Sequence, residues 1–196
     1  MILTRKDLKY YLECDRIAMS QKTARPGGNL PYRFLIVMRK YEYRANRKDV
    51  VSRAAAIWWH LRYKRLSEKC GFSIPINCAG PGLCLPHYGT IVISSQARIG
   101  ENCKIHPGVC IGASSGKPEA KQIGNNVYIG PGAKLVGGGT IADNVVIGAN
   151  AVVTGSVEEP GITIGGIPAQ KISGNDSSAH LIRATEIAGK NRLAET

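Results

Sequence analysis

Aromatic side chains are scarce in this chain: two phenylalanines, two tryptophans and 6% aromatics over 196 residues. A core built around rings is excluded, so any core must be aliphatic. No run of about 18 apolar residues occurs, which excludes a membrane-spanning helix. Met1 to Lys9 alternates charged and apolar residues, so no secretory leader is expected. The six cysteines (Cys14, Cys70, Cys78, Cys84, Cys103, Cys110) form no CxxC pair, and a chain this long and apolar needs no disulfide staples. A reduced, cytoplasmic setting is expected. A hydrophobic fraction of 43% excludes wholesale disorder, and the length allows one domain with an appendage or two small domains.

Acidic residues are also short, 14 against 26 Lys and Arg, giving a formal charge of +12. The imbalance is local. Residues 1–70 hold 17 Lys/Arg and 6 Asp/Glu, net +11, and the remaining 126 residues net +1. This basic segment reads as three helices. Thr4 and Asp7 form a capping-box pattern ahead of Leu8, Tyr11, Leu12 and Ile17. Pro26-Gly27-Gly28 predicts a break, Pro31 the first turn of a second helix to about Asn46, and a third helix runs from about Val50 to Lys69. Arg39, Lys40, Arg44, Arg47 and Lys48 stud the second helix. Arg62, Lys64 and Arg65 close the third, after Ile57-Trp58-Trp59.

After Gly71 the period becomes six. Ile93, Ile99, Ile105, Ile111, Ile123, Ile129, Leu135, Ile141, Ile147 and Val153 share one phase, and glycine follows at Gly100, Gly112, Gly124, Gly130 and Gly148. Small or branched residues (Ala97, Cys103, Val109, Val127, Ala133, Val145, Ala151) occupy the fourth place after each aliphatic. A hexapeptide is one short strand plus a tight turn, and three make one coil of a triangular prism. The aliphatic fills the axis, glycine is expected to supply the corner's backbone conformation, and the fourth residue points inward. The step from Ile111 to Ile123 skips one hexapeptide, so Ala113 to Gln122 (ASSGKPEAKQ) is read as a loop thrown out of the coil. Such loops are often functional.

On this period, and on the ordered segments LPHYGTIVIS, VCIGASSGK, VYIGPGAKLVGG, VVIGANAVVTGSV and GIPAQKI, the chain resembles the hexapeptide-repeat acyltransferases. Within them it is similar to the serine acetyltransferases and the related O-acetyltransferases of capsule and exopolysaccharide clusters. The resemblance implies a mainly β fold, a left-handed parallel β-helix of about five coils behind an N-terminal α-helical domain. The expected divisions are 1–70, helical and basic; 71–174, β-helix with loop 113–122; and 175–196, a C-terminal tail. It also implies a homotrimer, or a dimer of trimers, with active sites shared between chains.

Acetyl transfer from a thioester to an alcohol needs a base, donors for the developing oxyanion and a cleft for coenzyme A. By resemblance His87, in Pro86-His87-Tyr88-Gly89, is the base. Phase puts it where an inward aliphatic belongs, so the prism is expected to be distorted or not yet begun there. His106, at a corner where glycine is usual, is the second catalytic candidate; His60 reads as packing or surface and His180 as solvated. The resemblance further implies acetyl-CoA along Gly112, Ala113, Ser114, Ala133 and Ala149, with Lys117, Lys134 or Lys171 meeting its phosphates; no metal is expected. The family's carboxylates and second histidine are replaced by Pro86, by Phe72 and by Ala120 or Lys121, and its Arg-Asp-Pro-Ala element is missing. The acceptor therefore tilts from L-serine toward a saccharide hydroxyl, both remaining open beside a non-catalytic prism. The basic helices read as a solvated oligomer face or as attraction to an anionic membrane surface or glycan; nothing supports nucleic acid.

Overall fold

A computed structural model of the chain describes residues 1–22, 29–114 and 118–194. Helix α1 (Arg5–Ala18) begins with a reciprocal capping box: Asp7 N–H donates to Thr4 Oγ1 and Thr4 N–H to Asp7 Oδ2. Helix α2 (Leu30–Ala45) is capped by Asn29 and carries Pro31 in its first turn; helix α3 (Val50–Cys70) is capped by Asp49 and stopped by Gly71 at φ +75°. The Pro26-Gly27-Gly28 break lies outside the described residues. The two phenylalanines meet at the junction of the domains, Phe34 of α2 lying 5.1 Å from Phe72, centroid to centroid.

Thirteen short strands follow among the described residues. They are β1 (Phe72–Ser73), β2 (Ile91–Ile93), β3 (Arg98–Ile99), β4 (Lys104–Ile105), β5 (Cys110–Gly112), β6 (Gln122–Ile123) and β7 (Tyr128–Ile129). The chain continues through β8 (Lys134–Val136), β9 (Thr140–Ile141), β10 (Val146–Ile147), β11 (Val152–Val153), β12 (Thr163–Gly166) and β13 (Ala169–Ser173). They stack as three faces of a prism: β1-β2-β5-β8-β11, β3-β6-β9 and β4-β7-β10-β12-β13. All strand pairings are parallel except the closing β12–β13 hairpin. Partners in regular coils sit eighteen residues apart, as Val92 with Cys110 and Lys134 with Val152, and twenty-four apart where the coil carries the excursion, as Cys110 with Lys134. Every aliphatic of the six-residue phase, and every small residue four places on, is buried.

The corners work differently from the sequence expectation. Gly100, Gly124, Gly130 and Gly148 do not have positive φ; the left-handed residues lie two places later, at Asn102, Asn126, Gly132 and Asn150, with Asn144 in the same place after Ala142. The glycines are there because the coils nearly touch. A Cβ on Gly100 would stand 2.6 Å from the Gly124 carbonyl oxygen, and one on Gly130 would stand 2.8 Å from the Ala149 nitrogen. Asparagine tolerates the left-handed corner, and its amide stacks: Asn102 donates to Asn126 and Asn126 to Asn144. The segment read as a tail docks on this ladder. Thr185 exchanges two hydrogen bonds with Asn102, Arg183 donates to Asn144, and α4 (Ala184–Ala194) lies against α1.

Two further expectations are corrected. The thrown-out loop is shorter than 113–122, because Gln122 is already in β6 and Lys121 holds the inward place of the repeat. Its buried ammonium donates to the carbonyls of Gly138 and Thr154, in room left by Gly139, and burial pushes its pKa down. Arg39, expected on the basic surface, is fully buried. It donates to Asp15, to Glu42 and to the carbonyls of Ala79 and Gly80, while Asp15 accepts the amides of Gly82 and Leu83 and Glu42 that of Asn77. This network joins α1 and α2 to the first coil. Arg39→Met would leave two buried carboxylates without their cation. It is expected to cost about 3–5 kcal/mol, read as a lower urea midpoint, whereas Arg47→Met, at an exposed pair, should leave that midpoint nearly unchanged.

Candidate active site

The first coil runs long. Phe72 pairs with Ile91, nineteen residues on, and Cys84 bridges Lys104, twenty on. Leu85, fully buried, thereby takes the inward place opposite Ile105, and His87 is carried to the surface. The distortion that phase implied at His87 is this lengthened first coil. His87 stands at the corner between the third and first faces, where Gly89, at φ +139°, would bring a Cβ to 3.0 Å from Pro107 of the next coil.

His106 occupies the same corner one coil on, in the place that glycine holds elsewhere. A Cβ at Gly100 or Gly130 would meet the backbone of the next coil, yet this corner holds a full imidazole, which lies along the face against its neighbours. The two imidazoles consequently meet, 6.3 Å apart between centroids. His106 in turn lies 5.1 Å from the Tyr128 ring, and Tyr128 lies 5.0 Å from His180. The result is one row of four rings. Lys104 flanks it, donating to the His180 carbonyl with its ammonium 5.9 Å from the Tyr128 centroid. His180, expected to be solvated, remains exposed but is stacked on this row. Tyr128 and Lys104 escaped the sequence reading, and His180 was not read as part of a site. Tyr128 is the register partner of Lys104, a fact that depends on the loop length between them.

Among the described residues, His106 Nε2 is one of three buried side-chain polar atoms without a hydrogen-bond partner. Burial first, then the Lys104 and His87 charges, hold its pKa below the ordinary 6.5. His106 is therefore a neutral imidazole with a free ring nitrogen at neutral pH. The two carboxylate positions of the resemblance are apolar here, Phe72 being buried in the core and Pro86 preceding His87, and the candidates for its second histidine, Ala120 and Lys121, are both buried.

The residues expected to bind coenzyme A fall into separate groups. Gly112, Ala113 and Ser114 lie at the corner between the first and second faces, across the three-residue strand β5 from the histidine corner, roughly 10 Å away. Gly112 differs from the tight corner glycines, since a Cβ there would meet nothing nearer than Cys110 Sγ at 3.8 Å. The coil contacts leave that space open. Ala133 points into the prism and its amide donates to Gly130, so it offers little to a ligand. Lys134 lies on the first face with its ammonium on the Gly108 carbonyl; Ala149 is exposed at the histidine corner, stacked over Gly130. Lys171 is paired with Glu159 at 2.5 Å near the end of the prism. Lys117 lies outside the described residues. Among the described residues, no three His, Cys, Asp or Glu side chains cluster as a metal site would require.

The lowered His106 pKa has a stability consequence. The unfolded chain binds this proton more readily than the folded one. The contribution is thus complete above about pH 6.5 and is lost as pH falls through the lowered folded value. His106→Gln is expected to flatten the loss of urea stability between neutral and mildly acid pH. Proton NMR should place the His106 midpoint below 6.5; a midpoint above it would contradict the burial argument.

The hexapeptide model of bacterial transferases (six repeats) matches residues 121–155. A Staphylococcus xylosus serine acetyltransferase is 45% identical over 92 residues, 45% of this chain and 42% of that protein, so the chain spans less than half of this curated relative. A Brucella abortus serine acetyltransferase superposes with a TM-score of 0.70 at 23% identity, covering 89% of this chain and 72% of that one. The Neisseria gonorrhoeae enzyme gives 0.65 at 27%, covering 87% and 68%; it has also been crystallised with serine, and the Brucella enzyme with coenzyme A. In repeat, in left-handed β-helix fold and in sequence, the chain resembles the hexapeptide-repeat acyltransferases, and among them the serine acetyltransferases.

Proposed function

We propose that this chain is an acetyl-CoA-dependent O-acetyltransferase with His87 as general base. The observation that carries the reading is the histidine pair on a prism corner: an exposed His87 beside a His106 that stays neutral. His87 removes the proton of the acceptor hydroxyl as its oxygen attacks the thioester carbonyl, then returns the proton to the departing thiol sulfur. Neutral His106 adds no second positive charge beside the imidazolium that forms on His87. The open space at Gly112, which packing does not require, suits a backbone approach by the pantetheine arm.

The histidine corner and the Gly112–Ser114 corner lie on opposite edges of one face. A chain acting alone would leave acceptor base and cofactor groove apart, and a neighbouring prism would close the gap. In this reading the assembly is a cyclic trimer with shared sites, the corner after Gly112 of one copy lying beside His87 of the next.

For the acceptor, the absence at Pro86 and Phe72 of the carboxylates that the resemblance to the serine enzymes would require favours a saccharide hydroxyl. L-serine is the second reading, favoured by the similarity to serine acetyltransferases. Thiol release measured against L-serine and a panel of nucleotide sugars and oligosaccharides separates them. His87→Ala should lower turnover about 10²- to 10⁴-fold, with the assembly intact at three chains or a multiple of three by sedimentation. A wild type without turnover on any acceptor would indicate a non-catalytic prism, and a stable monomer would overturn the shared site.

A further inference from the structure

Helix α3 is apolar on two opposite faces. One packs on α2 and the prism through Trp59, Tyr63, Leu66 and Cys70. On the opposite side Val50, Ala54, Ile57 and Leu61 follow at helical spacing with Trp58 beside them, and all face solvent: Val50 is 80% exposed, Ile57 68%, Leu61 61% and Trp58 51%. A helix at the surface of a globular domain ordinarily turns charge outward, so this stripe is an interaction surface.

Charge identifies its occupant. Arg53 and Lys64 border the stripe on one side, and Arg62, Arg65 and Lys69 on the other. On that second side Arg33, Arg62, Arg65 and Lys69 ring a cleft of about 280 Å³ floored by Leu66. Arg62 also lies over the Trp58 ring at 4.7 Å. The acids near the stripe are Asp49, engaged as the helix cap and by Arg47, and Glu68 in the last turn. Docking against a second copy would oppose two segments of net +11 each. An anionic lipid surface instead receives the apolar stripe at its interface and places phosphates within reach of both cation rows. We infer that the outward face of α3 docks on an anionic phospholipid bilayer, with the Arg33–Arg62–Arg65–Lys69 cleft receiving a lipid phosphate. Trp59, next to Trp58 in the chain, does not take part: it is half-buried, with the Lys40 ammonium 5.0 Å from its ring centroid.

The test is co-sedimentation of the full chain with phosphatidylcholine vesicles, with and without phosphatidylglycerol, at low and high salt. Binding is expected only to the anionic vesicles and is weakened by salt. In a Trp59→Phe background, Trp58 emission should shift to the blue. Arg62→Gln and Arg65→Gln should each lower partitioning roughly five-fold. Ile57→Asp with Leu61→Asp should abolish binding while leaving the melting temperature and the solution mass unchanged, since both side chains are exposed. No binding to anionic vesicles at low salt would overturn the inference, as would equal binding to neutral vesicles. A halved solution mass in the Ile57→Asp, Leu61→Asp variant would also overturn it, showing that the stripe pairs two copies.

Discussion

Successive coils of the prism are hydrogen-bonded at the spacing of neighbouring β-strands, under 5 Å, and the rest of the structure depends on that closeness. Each residue sits on its counterpart in the next coil, so a corner side chain has nowhere to go unless it turns outward. Glycine at Gly100, Gly124 and Gly130 satisfies the constraint by having no side chain. Asparagine at 102, 126 and 144 satisfies it by bonding along the stack, which also provides the ladder that holds the C-terminal segment. The inward places must be aliphatic or small for the same reason, and a core of rings would not fit.

Chemistry concentrates where the repeat departs from this rule. His106 stands at a glycine place and is turned out to meet His87 and Tyr128. Gly112 keeps the glycine but loses the crowding, because the chain leaves the coil just after it. Lys121, where that excursion returns, threads a charged side chain through the core into the room left by Gly139. An ammonium held by carbonyls alone is an expensive way to close a loop, so the return point of 113–120 is firmly defined. Each departure faces one of two corners, and the proposed division of acceptor base and cofactor groove between neighbouring chains follows from that separation.

The helical segment is joined to the prism by polar chemistry as well as by ring packing at Phe34 and Phe72. Arg39 satisfies the carbonyls of a first coil that has no coil beneath it, while Asp15 and Glu42 satisfy its amides. The three charges thus cap the open end of the solenoid, where backbone groups would otherwise be buried without partners. That arrangement uses α1 and α2. It leaves α3 packed on one side and free on the other, with its apolar stripe and arginines presented outward.

The sequence alone determined the repeat, the residues on the prism axis, the inward small places, the helix caps and the existence of an excursion after Gly112. These depend on local spacing, and a period sustained over ten positions leaves no other register. The tertiary structure decided what depends on coil length and on what stacks across coils. A first coil of nineteen to twenty residues, rather than eighteen, put Leu85 inside and His87 outside. The excursion's six extra residues paired Lys104 with Tyr128 and so built the ring row. Arg39 reads in sequence like any other arginine of a basic helix, and only the approach of the first coil's carbonyls made it a core residue. Ile57 and Leu61 are apolar residues at helical spacing, and α2 and the prism occupy one side of α3 while no described residue covers the other.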